Sequence, residues 1–150
     1  KLVSIFAQAV LTYPDACTQE DACVVYSPAD GRPLIERPAL RADKLYPKEK
    51  KLVEIVKAEK EAGRKVLVFA THTNRRDLLP RLYEIMDKHN LRTTVLRSDT
   101  VDAGKRMPWL EKQLKEGLEV LICHPQLVET GVDMLDFPKI VWFGAPLHTA

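Results

Sequence analysis

From Leu2 to Tyr13 the apolar residues Leu2, Ile5, Phe6, Ala9, Val10 and Tyr13 recur at steps of three and four, which predicts an amphipathic helix with one buried stripe. Pro14 and Asp15 mark its expected end. The pattern then breaks up as far as Pro47. Pro28, Gly31, Pro33 and Pro38 leave only CVVY, 23–26, as a short strand, so this stretch reads as an irregular connection across the surface. The segment PKEKKLVEIVKAEKEAG, 47–63, restores a helical period, with Leu52, Ile55, Val56 and Ala62 on one side and Lys and Glu on the other. Gly63 stands where such a helix stops.

Beyond Gly63 the period changes. KVLVFA (65–70), EVLIC (119–123) and KIVWF (139–143) are short continuous apolar runs, which predict strands covered on both faces. RTTVL (92–96) is more polar and suits a strand nearer an edge. Between the strands lie helical patterns, one carrying Leu78, Leu82, Ile85, Met86 and His89, the other Met107, Leu110 and Leu114. Proline is tolerated in a first turn and costs about 3 kcal/mol inside a helix, so Pro80 and Pro108 mark helix starts. The helix after KVLVFA therefore begins its regular part near Asp77 and leaves THTNRR as a turn. Strands alternating with helices imply right-handed crossovers and an α/β fold, an open parallel sheet with helices on both faces. No internal repeat or low-complexity segment interrupts it.

Composition changes this picture little. A chain of 150 residues, 45% hydrophobic and 29% charged, can bury a core. Its 23 Lys and Arg against 21 Asp and Glu leave +2, which excludes a uniformly basic nucleic-acid wrapper but not a basic face. No apolar run approaches the ~18 residues that span a bilayer, and no leader pattern opens the chain, so a cytoplasmic location without a membrane partner is expected. Cys17, Cys23 and Cys123 are an odd, scattered set that reads as buried or idle thiols, not as a disulfide framework or a zinc site. Lys1 in place of Met suggests a piece of a longer protein.

Open parallel sheets bind ligands outside the carboxyl ends of their strands, where three loops fall here. ATHTNRR, 70–76, places hydroxyls, an amide and two guanidiniums ahead of a helix N-terminus, a setting that favours phosphate; the competing reading has Thr73 or Asn74 cap the helix while both arginines are solvated. RSDTVDAGKR, 97–106, is explained as readily by turn formation as by a ligand. In CHPQLVETGVDM, 123–134, Gly131 lets the backbone approach a ligand, while Thr130 and Asp133 offer a donor and an acceptor. His124 follows a strand and is a better site candidate than His89. GxxxxGK[ST], GxGxxG and GxSxG are all missing from the 150 residues, which argues against a P-loop, a dinucleotide fingerprint and a nucleophile elbow.

Taken in order, the helix before KVLVFA, that strand with its THTNRR turn, the strand leading into SDTVDAGKR and WLEKQLKEG, and EVLICHPQLVETGVDMLDFPKIVWFG resemble the second RecA-like domain of superfamily 2 helicases and related double-strand translocases. The resemblance runs from Pro47 to Pro146, and the order and separation of the landmarks carry it. It implies a RecA-like domain over 47–150, a P-loop NTPase fold without a P-loop, preceded over 1–46 by a helix and a Pro-rich connection. It further implies that Thr71, Thr73, Asn74 and Arg75 lie along a nucleic-acid backbone, with His124 to Thr130 nearby, while Gly131 and Asp133 face ATP. The ATP, with Mg, would be held mainly by a first RecA-like domain that is missing here, and DNA is favoured over RNA as the partner. Two departures stand out. His124 and Pro125 occupy the place of a small hydroxyl residue, and the helix Q..GR..R expected soon after Gly144 is not reached before Ala150. The chain by itself is therefore expected not to hydrolyse ATP. Rival readings are a nucleotide- or sugar-nucleotide-binding α/β domain and a non-catalytic module that docks through its first helix.

Overall fold

The computed structural model describes residues 2–16, 22–71, 77–129 and 132–144. Two units divide the chain, Lys1–Leu45 and Tyr46–Ala150. In the first, helix α1 spans Leu2–Ala16 and carries Pro14 within its last turn. Its end thus lies beyond the proline expected to stop it: so near the C-terminus, Pro14 forfeits a single N–H bond without breaking the turns that follow. The apolar stripe is also narrower than its spacing suggests. Ile5, Phe6, Ala9 and Tyr13 are half-buried, whereas Leu2 and Val10 are exposed.

The Pro-rich stretch is not an irregular connection. Strands β1 (Cys23–Tyr26) and β2 (Pro33–Arg37) form an antiparallel hairpin in which Cys23 faces Arg37 and the register shifts between Val25 and Tyr26. Its turn is closed by Ser27 N–H donating to Arg32 O at 2.8 Å and Gly31 N–H to Ser27 O at 2.9 Å, with Gly31 at φ +70. Pro33 is compatible because it opens its strand, where a missing N–H breaks no interior ladder bond.

In the second unit, helices α2 (Pro47–Glu61), α3 (Leu79–Lys88) and α4 (Arg106–Lys115) alternate with strands β3 (Val66–Phe69), β4 (Thr93–Leu96), β5 (Val120–Cys123) and β6 (Lys139–Trp142). The four strands form one all-parallel sheet in the order β4-β5-β3-β6. Passing from β3 to β4 moves one way along the sheet, and passing from β4 to β5 moves back. Right-handed crossovers therefore put α3 and α4 on opposite faces. On the α4 face Leu67, Phe69, Leu96, Leu121 and Cys123 pack with Leu110, Leu118, Val101 and Phe137. Residues 66, 68, 120 and 122 point the other way by the two-residue period, toward the side of α3, against which α2 packs.

Two details depart from the expected burial. KIVW is not covered on both faces: β6 lies at the sheet edge, with Ile140 and Trp142 half exposed although Trp142 meets the Phe69 ring at 4.8 Å. Along α2, Val53 is buried with Leu52 and Val56, Ile55 is half-buried and Ala62 is exposed. Packing against α3 widens the buried arc beyond one stripe.

Each helix of this unit ends the same way. Gly63, Asn90 and Gly117 adopt φ of +70, +56 and +90. Arg64 N–H donates to Glu59 O, Leu91 N–H to Met86 O and Leu118 N–H to Gln113 O, the six-to-one bond that ties a helix end through a left-handed residue. Each tie delivers the chain directly into the next strand at the amino edge of the sheet. Irregular backbone is left to the opposite edge.

Candidate functional site at the carboxyl edge

Parallel registry fixes that opposite edge. Cys123 of β5 stands level with both Phe69 of β3 and Leu96 of β4, and Ala70 N–H donates to Cys123 O at 3.0 Å. The loops that leave these three strands consequently start side by side. Between those after β4 and β5 lies a cleft of about 380 Å³, whose lining is apolar at Leu79, Leu96 and Leu127 and polar at Arg97, Ser98, Asp99, His124 and Gln126.

The turn that carries Arg97 is closed by its own backbone. Val101 N–H and the Thr100 hydroxyl donate to Arg97 O at 3.3 and 3.2 Å, and buried Val101 roots this turn in the core. The Arg97 guanidinium pairs with Asp77 Oδ2, while Asp77 Oδ1 accepts from Leu79 N–H, two residues on, at 3.0 Å. In the loop after β5, His124 Nδ1 accepts from Gln126 N–H at 3.3 Å. A neutral His124 ring consequently carries its proton on Nε2. Arg106, at the start of α4, donates from Nη1 to Leu127 O at 2.9 Å, and its buried Nε has no partner among the described residues. Around the cleft the Arg97 guanidinium and the His124 imidazole N–H are donors, the Ser98 hydroxyl and Gln126 amide both donate and accept, and the Asp99 carboxylate accepts. The guanidinium and imidazole give such a lining a means of holding acceptor oxygens.

The residues singled out from sequence fare unequally. His124 lines the cleft. Thr71 is half-buried just past β3, one residue beyond fully buried Ala70. Asp133 is exposed, its Oδ1 accepts from Leu135 N–H at 3.0 Å, and its own N–H lies 3.1 Å from Met107 Sδ. Thr73, Asn74, Arg75, Thr130 and Gly131 lie outside the described residues. The sequence names Ser98 and Asp99 only as members of the 97–106 loop and does not point to Arg97 or Gln126, because nothing in a turn-forming stretch says which of its side chains will face a neighbouring loop. Among the described residues no three His, Cys, Asp or Glu side chains cluster as metal ligands would.

Cys123 closes the strand beneath this site and is fully buried. Burial pushes its thiol up from the ordinary 9.0 to about 12, against a smaller opposing pull from the Arg106 charge. An alkylating reagent at pH 8 is expected to spare Cys123 in the folded chain and to modify it in denaturant, as read by mass spectrometry of the peptide. Equal rates in the two states would overturn this burial. The unfolded thiol releases its proton near 9.0 while the folded one keeps it until about 12. Within that window the unfolded state binds fewer protons, so this group lowers stability as pH rises.

Comparison of the chain with protein-family models, with curated proteins and with solved structures gives no match in any of the three.

Proposed function

We infer that the unit from Tyr46 onward is the second RecA-like domain of an ATP-dependent superfamily 2 helicase or double-strand translocase, and that its carboxyl edge holds a nucleic-acid backbone. The observation that carries this reading is the in-register parallel pairing of Phe69 with Cys123, which starts the two loops of the resemblance at one edge. Phosphate oxygens are the same at every base, so contacts of this kind grip without reading sequence. His124 offers an Nε2–H toward the strand, and Thr71, Thr73, Asn74, Arg75 and Thr130 extend the grip along the edge. Gly131 and Asp133 face the nucleotide shared with a first RecA-like domain, where ATP and Mg supply the phosphoryl chemistry. A loop that touches both ligands couples closure on nucleotide to the grip on the strand.

The test is binding of labelled single- and double-stranded DNA at two salt concentrations. Affinity is expected to fall steeply with salt. Replacing Arg75 and Arg76 by alanine is expected to weaken unrelated sequences alike, reducing the salt slope by about one for each phosphate that is no longer neutralised. Absence of DNA binding at low salt, or unchanged affinity in the double variant, would overturn the assignment.

A further inference from the structure

The cleft's guanidinium is already engaged. Arg97 lines the cavity between the loops after β4 and β5, yet it is ion-paired with Asp77 at the head of α3. Both side chains keep partial access to solvent, 29% exposed for Arg97 and 22% for Asp77. A pair so placed is neither sealed in the core nor free. Its worth is small enough for an incoming anion to compete with the carboxylate, because a partly hydrated ion pair contributes little net stability. A phosphate presents the same bidentate acceptor geometry as the carboxylate and carries at least as much charge.

Two of the contacts that Asp77 makes can be separated chemically. Oδ1 accepts from the N–H of Leu79, the first residue of α3, while Oδ2 holds Arg97. An asparagine Oδ1 accepts from the backbone N–H two residues on as an aspartate oxygen does, so Asp77→Asn keeps the first contact and removes the charge behind the second. The backbone of Arg97 does not depend on the pair. Its carbonyl is fixed by Val101 N–H and the Thr100 hydroxyl. The side chain can therefore exchange partners without the turn unwinding.

We propose that Arg97 is a phosphate-binding residue of this cleft and that Asp77 is a latch on it: the carboxylate holds the guanidinium until a phosphate of the bound strand displaces it. The proposal rests on the reading of the carboxyl edge as a nucleic-acid site, and it adds to that reading a residue and a restraint. Affinity in the native chain is held below what its cleft can deliver. Engagement becomes an exchange of anions on one guanidinium.

The experiment is a double-mutant cycle on the full chain with a labelled DNA duplex at low salt. Asp77→Asn is expected to tighten binding about two- to fivefold and to steepen the salt slope by about one charge. Arg97→Gln is expected to weaken binding, and Asp77→Asn added to Arg97→Gln to gain nothing. A gain that persists on the Arg97→Gln background is general relief of negative charge and overturns the latch, as does an unchanged or weaker affinity for Asp77→Asn in a protein that otherwise binds DNA. Should the unaltered chain bind no DNA, the functional reading itself falls. Asp77→Ser, whose uncharged hydroxyl oxygen also accepts from the N–H two residues on, repeats the test if the Asn variant folds poorly, and urea unfolding of each variant shows which ones are folded.

Discussion

Replacing Glu49 by alanine is expected to destabilise the chain by about 3–5 kcal/mol, the loss typical when one partner of a buried ion pair is removed. Glu49 is 4% exposed, a charged residue lodged among the buried positions of α2. Its Oε1 accepts from Arg81 Nε at 2.5 Å and its Oε2 from Arg81 Nη2 at 2.9 Å, a bidentate clasp between the first turns of α2 and α3. Oε2 also accepts from Tyr46 N–H at 2.9 Å, closing the start of α2. Removing the carboxylate leaves Arg81, whose side chain is 13% exposed, with buried charge that the clasp had balanced. Most of the penalty comes from a poorly solvated guanidinium losing this carboxylate, not from the net worth of the pair. Glu49→Leu combined with Arg81→Met is accordingly expected to recover most of the loss. Urea midpoints at constant slope measure both variants, and a Glu49→Ala variant within about 1 kcal/mol of the unaltered chain would refute the clasp.

Leu121→Ala is expected to cost a comparable amount, about 3–5 kcal/mol, for a different reason. Leu121 is fully buried at the middle of β5, the strand with β4 on one side and β3 on the other. Its registry places Leu67 and Thr94 beside it on the α4 face. A side chain closed in by the sheet below and Leu110 of α4 above leaves a void that cannot easily collapse. Leu121→Met, which keeps the volume, is expected to lose less than about 1.5 kcal/mol. Denaturation of the two variants side by side checks the claim; an alanine variant no weaker than the methionine one would mean that this face is not packed as described.

The four strands of the sheet were legible because VLVF, TTVL, VLIC and KIVW are β-rich runs separated by helical periods. Their parallel alternation also foretold one shared edge for the loops after Phe69 and Cys123. What stayed hidden was relational. The letters KIVW do not say whether another strand lies outside them, so the half exposure of Ile140 and Trp142 could not be read. The hairpin strand PLIER could not be read because Pro28, Gly31, Pro33 and Pro38 break the pattern around it and its exposed residues, Pro33–Arg37, show no apolar alternation. Its turn was nevertheless written in SPADG, where Ser27 and Asp30 accept backbone N–H groups and Gly31 takes a left-handed conformation. At the site, His124 could be picked out as the residue after a strand. The pairing of Asp77 with Arg97 joins different loops twenty residues apart, a distance over which no local period reports proximity.

The left-handed residues that end α2, α3 and α4 bear on where this chain accepts cargo. Lys60 reaches from α2 to Asn90 O and to Glu119, each at 3.0 Å, and a methyl group on Gly117 would run into the Arg92 guanidinium. A dye, an affinity tag or a grafted peptide placed there would disturb several of these ties together. The exposed turn at Ser98–Thr100 tolerates such additions sterically but would report on the cleft, which makes it the natural seat for a fluorescent reporter of occupancy.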